Sequence, residues 1–152
     1  MKIVEMAPDA FETVKNLFLD VFSAEPWKDE WKSDDEVSRY IRELTDNSNS
    51  LSLALIDDDG CIVAASLGYV FSWWQGREYF IKEFFVSRKC QGQGIGSEFL
   101  KTMNGFLLER EIGAIWLITD RDFPAYQFYV KNGFEESEDL VFFSKTLEDR
   151  ED

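Results

Sequence analysis

The residues of this chain with the most chemistry to offer run from Gln91 to Ser97. Three glycines in Gln91-Gly92-Gln93-Gly94-Ile95-Gly96-Ser97 interrupt a β-rich run, Tyr79 to Val86, and open an amphipathic helix expected over Glu98 to Arg110. Glycine lets the backbone turn and admits a ligand against the main chain, while the unpaired N–H groups of the following helix favour negative charge. Such a loop is an anion cradle, and its expected guest is a pyrophosphate. Spacing narrows the choice: a dinucleotide turn needs G-x-G-x-x-G and a nucleoside-triphosphate loop needs G-x-x-x-x-G-K-[ST], and neither is present. A glycine turn with a purely structural role stays open as the alternative.

Read from Gln91, the loop is Q-x-x-G-x-G, an acyl-CoA pattern, and it follows Glu83-Phe84-Phe85-Val86. A second pattern comes later, Asp122-Phe123-Pro124-Ala125-Tyr126-Gln127-Phe128-Tyr129-Val130-Lys131-Asn132-Gly133-Phe134, close to N-x-x-A-x-x-F-Y-x-x-x-G-F. In these two motifs and their order the chain resembles the GNAT family of N-acetyltransferases. The resemblance implies an acetyl-CoA (coenzyme A) dependent enzyme that transfers acetyl directly to an amine. It also implies an α/β fold, a twisted mixed sheet of six to seven strands with helices on both faces. Carried over residue by residue, it puts Phe84, Phe85 and Val86 against the pantetheine arm and acetyl group. Gln91, Gly92, Gln93, Gly94, Ile95, Gly96 and Ser97 would surround the pyrophosphate, beside a strand that splays from its neighbour and frees backbone groups. Tyr129 matches the tyrosine that protonates the departing thiolate, with Tyr126 as the fallback. Asp122 stands where the family has an asparagine on the cofactor arm, and a carboxylate cannot donate as an amide can. Arg88 and Lys89 are candidate partners for further cofactor phosphates or ordinary solvated charges.

Histidine is absent from the chain, which removes Ser-His-Asp and Cys-His catalysis and histidine-ligated zinc. Any general base is then a carboxylate, a water chain or a rarer group. Several members of the family carry a carboxylate at or next to Glu83, which makes that residue the candidate base. Its weakness is geometric: residues alternate faces along a strand, and a bulge is needed if Glu83 is to face the acceptor from this position. The acceptor is expected by the loop between the first two helices, where Trp27, Asp29 and Trp31, with Glu25 and Glu30, combine aromatic faces and carboxylates that suit an ammonium. Trp73 and Trp74 are candidates to complete that wall.

Sixteen basic against 30 acidic residues give a net charge of −14, which disfavours nucleic acid and welcomes a cationic partner, or serves solubility alone. The expected acceptor is a small cationic amine such as a polyamine, aminoglycoside or amino-acid derivative. The alternatives are a protein N-terminus or lysine, or a non-catalytic acyl-CoA-binding sensor. No apolar stretch reaches the roughly 20 residues of a membrane span and no signal-peptide segment opens the chain, so a cytoplasmic protein without a membrane partner is expected. Cys61 and Cys90 make no disulfide framework and suggest no metal site.

The elements that must position these residues are legible from periodicity. With 152 residues and no repeat or linker, residues 1–152 read as a single domain. Lys2 to Glu5 is a first strand. Phe11, Val14, Leu17, Phe18, Val21 and Phe22 recur at helical spacing, and Ser33-Asp34-Asp35-Glu36 is a capping box before a helix carrying Val37, Tyr40, Ile41 and Leu44. Leu51 to Ile56 and Cys61 to Phe71 form a hairpin, and Ser72 to Arg77 turns into the Tyr79 to Val86 strand. Ala114 to Thr119 is a buried strand and Pro124 to Asn132 a helix closed by Gly133. One more strand near Phe134 and a final one over Leu140 to Leu147 complete the order. The apolar Leu140 to Phe143 segment is a candidate for pairing across a homodimer.

Overall fold

The computed structural model describes residues 1–148. It divides into two compact units, Met1–Thr119 and Asp120–Asp152. The first unit holds a five-stranded sheet in the order β1 (Lys2–Glu5), β2 (Ser50–Ile56), β3 (Ile62–Trp73), β4 (Gly76–Val86) and β5 (Ile112–Leu117). β1 to β4 pair antiparallel with their neighbours, and β4 pairs parallel with β5.

Helix α1 (Phe11–Phe22) buries Val14, Phe18 and Val21, and α2 (Asp34–Thr45) buries Val37, Ile41 and Leu44. These stripes meet Ala65 and Leu67 of β3 and Phe85 of β4 in one core, each buried aliphatic or aromatic side chain contributing about 1.5–3 kcal/mol. Ser33 caps α2 as expected, with Glu36 N donating to Ser33 Oγ at 3.1 Å. Between α1 and α2 lies Lys15, only 2% exposed, whose Nζ reaches Asp34 at 2.8 Å, Glu12 at 3.0 Å and Ser38 Oγ at 3.1 Å. A buried ammonium tolerates this setting only when paired, so Lys15 fastens the two helices whose connecting loop carries Trp27 to Trp31. Helix α3 (Ile95–Glu109) buries Ile95, Phe99, Leu100, Met103 and Leu107, and Phe99 stacks on Phe84, the neighbour of Phe85 that alternation turns to the other face of β4. Helices therefore cover both faces of the sheet.

The strand count is a correction. The expected six to seven strands become five, because neither the segment near Phe134 nor Leu140 to Leu147 pairs with a strand among the described residues. Leu140, Val141, Phe142 and Phe143 are instead exposed. An apolar run becomes a strand only when an edge takes up its backbone groups, which hydrophobicity does not report. Smaller differences fall at element ends. β3 runs on to Trp73 and β4 begins at Gly76, leaving a two-residue turn at Trp74-Gln75, and α3 begins one turn early, at Ile95. In the second unit, α4 spans Pro124–Lys131.

Candidate active site

The strand β4 carries the site, and one irregularity in it decides the geometry. Leu67 of β3 faces Glu83, yet the next residue, Gly68, faces Ile81, so Lys82 is an extra residue without a partner. Beyond it the faces exchange. Tyr79 sits on the same side as Ser66, its hydroxyl 2.8 Å from Ser66 Oγ, whereas Glu83 and Phe85 share the side of Leu67 and Ala65, under α1 and α2. Alternation from Tyr79 would have sent Glu83 to the α3 face; the bulge returns it. Gly68 permits this, because a Cβ there would stand 1.9 Å from the Phe80 carbonyl oxygen, far inside contact distance. A glycine inside a long apolar strand was the sequence signal for this bulge, and only Gly68 carried it.

On that face Glu83 accepts a hydrogen bond at Oε2 from the Tyr40 hydroxyl of α2. Burial pushes the Glu83 carboxyl above the usual carboxylate range, the Tyr40 bond and the Lys82 charge pull against this, and Asp29 adds to it. Tyr40 is itself raised, first by burial and then by the Glu83 charge. Its ring lies 5.4 Å from Trp31 and 6.0 Å from Phe18. The α1–α2 loop is tied down by Asp29 N donating to the Phe22 carbonyl at 2.8 Å and by the Trp27 ring 5.0 Å from Phe22. Glu83, Asp29, Trp31 and Tyr40 are thus gathered at one place, with Trp27 at its margin. Tyr40 is the member that sequence reasoning missed; its helical spacing with Val37 and Leu44 marked it only as packing. Trp73 is not part of the group. It is 54% exposed at the hairpin tip, six residues along β3 from Leu67 and so about 20 Å away, with Trp74 beside it.

On its other edge β4 pairs with β5 only as far as Ile81, opposite Leu117. From Lys82 to Val86 the strand runs on past the end of that ladder, which is the splay expected of this strand. Phe85 differs from expectation: it is 2% exposed and packs on Phe18 at 5.6 Å and Phe22 at 5.9 Å, so only its main chain is open to a cofactor. Val86 O accepts from Gln91 Nε2 at 3.1 Å, which fastens the strand end to the loop and gives the Gln91 side chain a structural partner. Gln93 Nε2 similarly donates to Lys89 O at 3.1 Å. Arg88 lies 3.5 Å from Asp20 of α1.

The loop has the shape of an anion cradle. Gly92 and Gly94 take φ of 79° and 77°, a region that penalises any Cβ, and no atom lies within 4 Å of where that Cβ would be. Gly94 is the N-cap of α3 and no side chain caps the helix, so the first-turn amides from Ile95 to Ser97 are left for an anion. Gly96 has helical backbone inside that turn. This open, left-handed, uncapped turn fits a pyrophosphate, and the stretch of β4 beyond its last β5 rung fits an extended pantetheine arm.

In the second unit Asp122 occupies the turn before α4. The Tyr129 ring is held edge-on by Phe128 and Phe134, each at 5.2 Å, and its carbonyl accepts from Phe134 N at 3.0 Å. The Tyr126 hydroxyl donates to Glu136 Oε1 at 2.6 Å, and Arg121 grips the same carboxylate through two bonds of 2.7 and 2.8 Å. The Glu136 bond raises the Tyr126 phenol, which weakens the case for Tyr126 as a proton donor.

No group of three or more His, Cys, Asp or Glu side chains among the described residues could hold a metal ion, and no helix there is long and apolar enough to cross a membrane. No curated protein matches the sequence. Solved structures do. One described as a probable acetyltransferase aligns with a TM-score of 0.78 at 14% identity, over 98% of this chain and 99% of the other. The aminoglycoside acetyltransferase meta-AAC0020 from an uncultured soil metagenomic sample, in complex with sisomicin, aligns at 0.71 and 22% identity over 96% and 95%. AAC(6')-Iy in complex with the bisubstrate analogue CoA-S-monomethyl-acetylneamine aligns at 0.70 and 16% identity over 96% and 98%. These likenesses establish the fold. The model of the acetyltransferase (GNAT) family matches residues 11–134, across the boundary between the two units, and with the glycine loop and splayed strand in place the chain belongs to that family.

Proposed function

We propose that this protein is an acetyl-CoA-dependent N-acetyltransferase whose acceptor is a small cationic primary amine, a polyamine, an aminoglycoside or an amino-acid derivative. The observation that carries this reading is the cluster of Glu83, Asp29, Tyr40 and Trp31 beside the stretch of β4 that runs past its last β5 rung. Two carboxylates and two aromatic faces attract an ammonium, and a net charge of −14 draws cations toward the protein from a distance. The aminoglycoside acetyltransferases among the structural neighbours favour the same acceptor class.

Acetyl-CoA, when bound, supplies the activated acetyl thioester. Residues Gly92 to Ser97 would hold its pyrophosphate on their amides, with Gln91 bracing the loop, while the β4 backbone from Lys82 to Val86 and the Phe84 side chain would orient the arm. Arg88, Lys89 and Asp122 would add peripheral contacts. Glu83 would take the proton that an ammonium must lose before its nitrogen can attack, directly or through water. Its raised carboxyl is a stronger base than an ordinary glutamate. Tyr129 would carry on its hydroxyl the proton needed by the leaving sulfur. The single-domain reading of residues 1–152 rests on the family match that crosses both units, and a cytoplasmic setting on the choice of cofactor. The exposed run from Leu140 to Phe143 supports packing across a homodimer, which light scattering would detect.

The test is acetyl-CoA turnover across polyamines, aminoglycosides, short peptides and neutral or anionic acceptors at several salt concentrations. Cations should be preferred, with KM rising as salt screens the attraction. Efficient acetylation of neutral acceptors without a salt effect would sink the acceptor assignment.

A further inference from the structure

The face assigned to the acceptor already holds a cation. Because the bulge skips Lys82 in the register, Lys82 and Glu83, adjacent in sequence, both turn to the α1–α2 side of β4. Lys82 Nζ stands 3.9 Å from Glu83 Oε2 and 5.7 Å from the centroid of the Tyr40 ring. We propose that Lys82 is a built-in competitor for the acceptor's ammonium, occupying the subsite made by Glu83 and Tyr40 and sharpening selection for amines that can displace it. This deepens the acceptor assignment above and rests on it.

Three features support the assignment. The partners Lys82 has chosen, a carboxylate and an aromatic ring, are those an incoming ammonium would use, so the two cations cannot share them without like-charge repulsion. The Lys82 side chain is 47% exposed while Glu83 is 17% exposed, so the lysine can swing its stem into water whereas the carboxylate stays. The contact is also weak enough to yield: an ion pair at 3.9 Å and a cation–π contact at 5.7 Å, both made by a half-exposed lysine, each fall in the range that a ligand readily outcompetes. A tether that weak alters affinity by about three- to tenfold, enough to discriminate between acceptors and too little to block the site. Asp29, whose field reaches Glu83, stays available to a second charge on the acceptor. Displacement therefore favours acceptors carrying two or more ammonium groups, which recover with Asp29 what is lost in moving Lys82.

The decisive measurement does not need turnover. n-Butylammonium, which has the chemistry of the lysine side chain itself, is titrated into wild type, Lys82→Ala, Lys82→Gln and Lys82→Arg, with the Trp31 indole NMR signal as the reporter. Lys82→Ala and Lys82→Gln should bind the probe about three- to tenfold more tightly than wild type, and Lys82→Arg should not. The gain should vanish when Glu83→Gln is added. Equal affinity across the series, or a gain shared by Lys82→Arg, overturns the proposal. A protein that acetylates no amine yet shows the charge-dependent gain refutes the enzymatic reading and leaves the competitor intact, so the two failures are distinguishable.

Discussion

Two glutamates in this molecule each accept a hydrogen bond from a tyrosine, and their pKa values move in opposite directions. Glu83, under α1 and α2, is raised because burial outweighs the bond from Tyr40. Glu136, in the second unit, is lowered to about 2 because Arg121 grips it through two bonds and Tyr126 adds a third. The pairs are chemically alike, so the tyrosine is not what sets the acid. Water and a guanidinium at one pair, and their replacement by apolar side chains at the other, decide whether the carboxylate is an inert anchor or a usable base.

The strongest way to break this contrast is to remove the bulge that takes Glu83 to its face. Gly68→Ala forces a Cβ to within 1.9 Å of the Phe80 oxygen, so the β3–β4 ladder must shift. We expect a loss of stability on the order of 2–4 kcal/mol by urea unfolding and turnover reduced by at least about 100-fold. An unchanged midpoint with wild-type turnover would show that the ladder accommodates a methyl group and that the bulge is not glycine-dependent.

Glu83→Gln keeps the shape and removes the proposed base. Turnover should fall about 10²- to 10⁴-fold, and the rise of activity with pH, which in wild type begins above the ordinary carboxylate range, should flatten. The stability signs also separate the pairs. A raised carboxyl favours the folded state below its unfolded value, near 4.5, and loses that contribution as pH climbs through the raised value; Glu83→Gln should therefore gain on wild type in melting temperature as pH rises above 4.5. Glu136 behaves oppositely, its contribution being present above 4.5 and lost as pH falls toward 2, so Glu136→Gln should erase part of the acid-side loss. Identical pH trends in the two variants would mean that the two environments do not differ as described.

The tyrosines give the third comparison. Tyr129→Phe should lower kcat by about 100-fold with little change in KM, while Tyr126→Phe, whose hydroxyl is committed to Glu136, should leave kcat near wild type. The reverse pattern would move the proton donor to Tyr126. Smallest in size is Tyr40→Phe: losing a bond that lowers the Glu83 pKa should shift the pH–rate midpoint upward by a fraction of a unit to about one unit. A midpoint that stays in place would sever Tyr40 from the base.

Much of this was legible in the chain because it is local. The spacing of Val14, Phe18 and Val21, the Ser33 to Glu36 cap and the turn-forming glycines at 92 and 94 act through neighbours a few residues away, and each forms as its residues dictate. The pairing of the glycine loop with the Phe128-Tyr129 motif identified the family for the same reason. The tertiary structure alone decided which face Glu83 takes, that Tyr40 holds it, that Phe85 belongs to the core, and that Trp73 stands apart at a hairpin tip. It also decided that the apolar run after Leu140 forms no ladder among the described residues. Each of these depends on register, on which residue of one strand meets which of another, and a single unpaired residue such as Lys82 reverses every side chain beyond it. Hydrophobic periodicity is blind to that phase, since it arises where the Gly68 and Phe80 backbones, far apart in the chain, come too close for a side chain to stand between them.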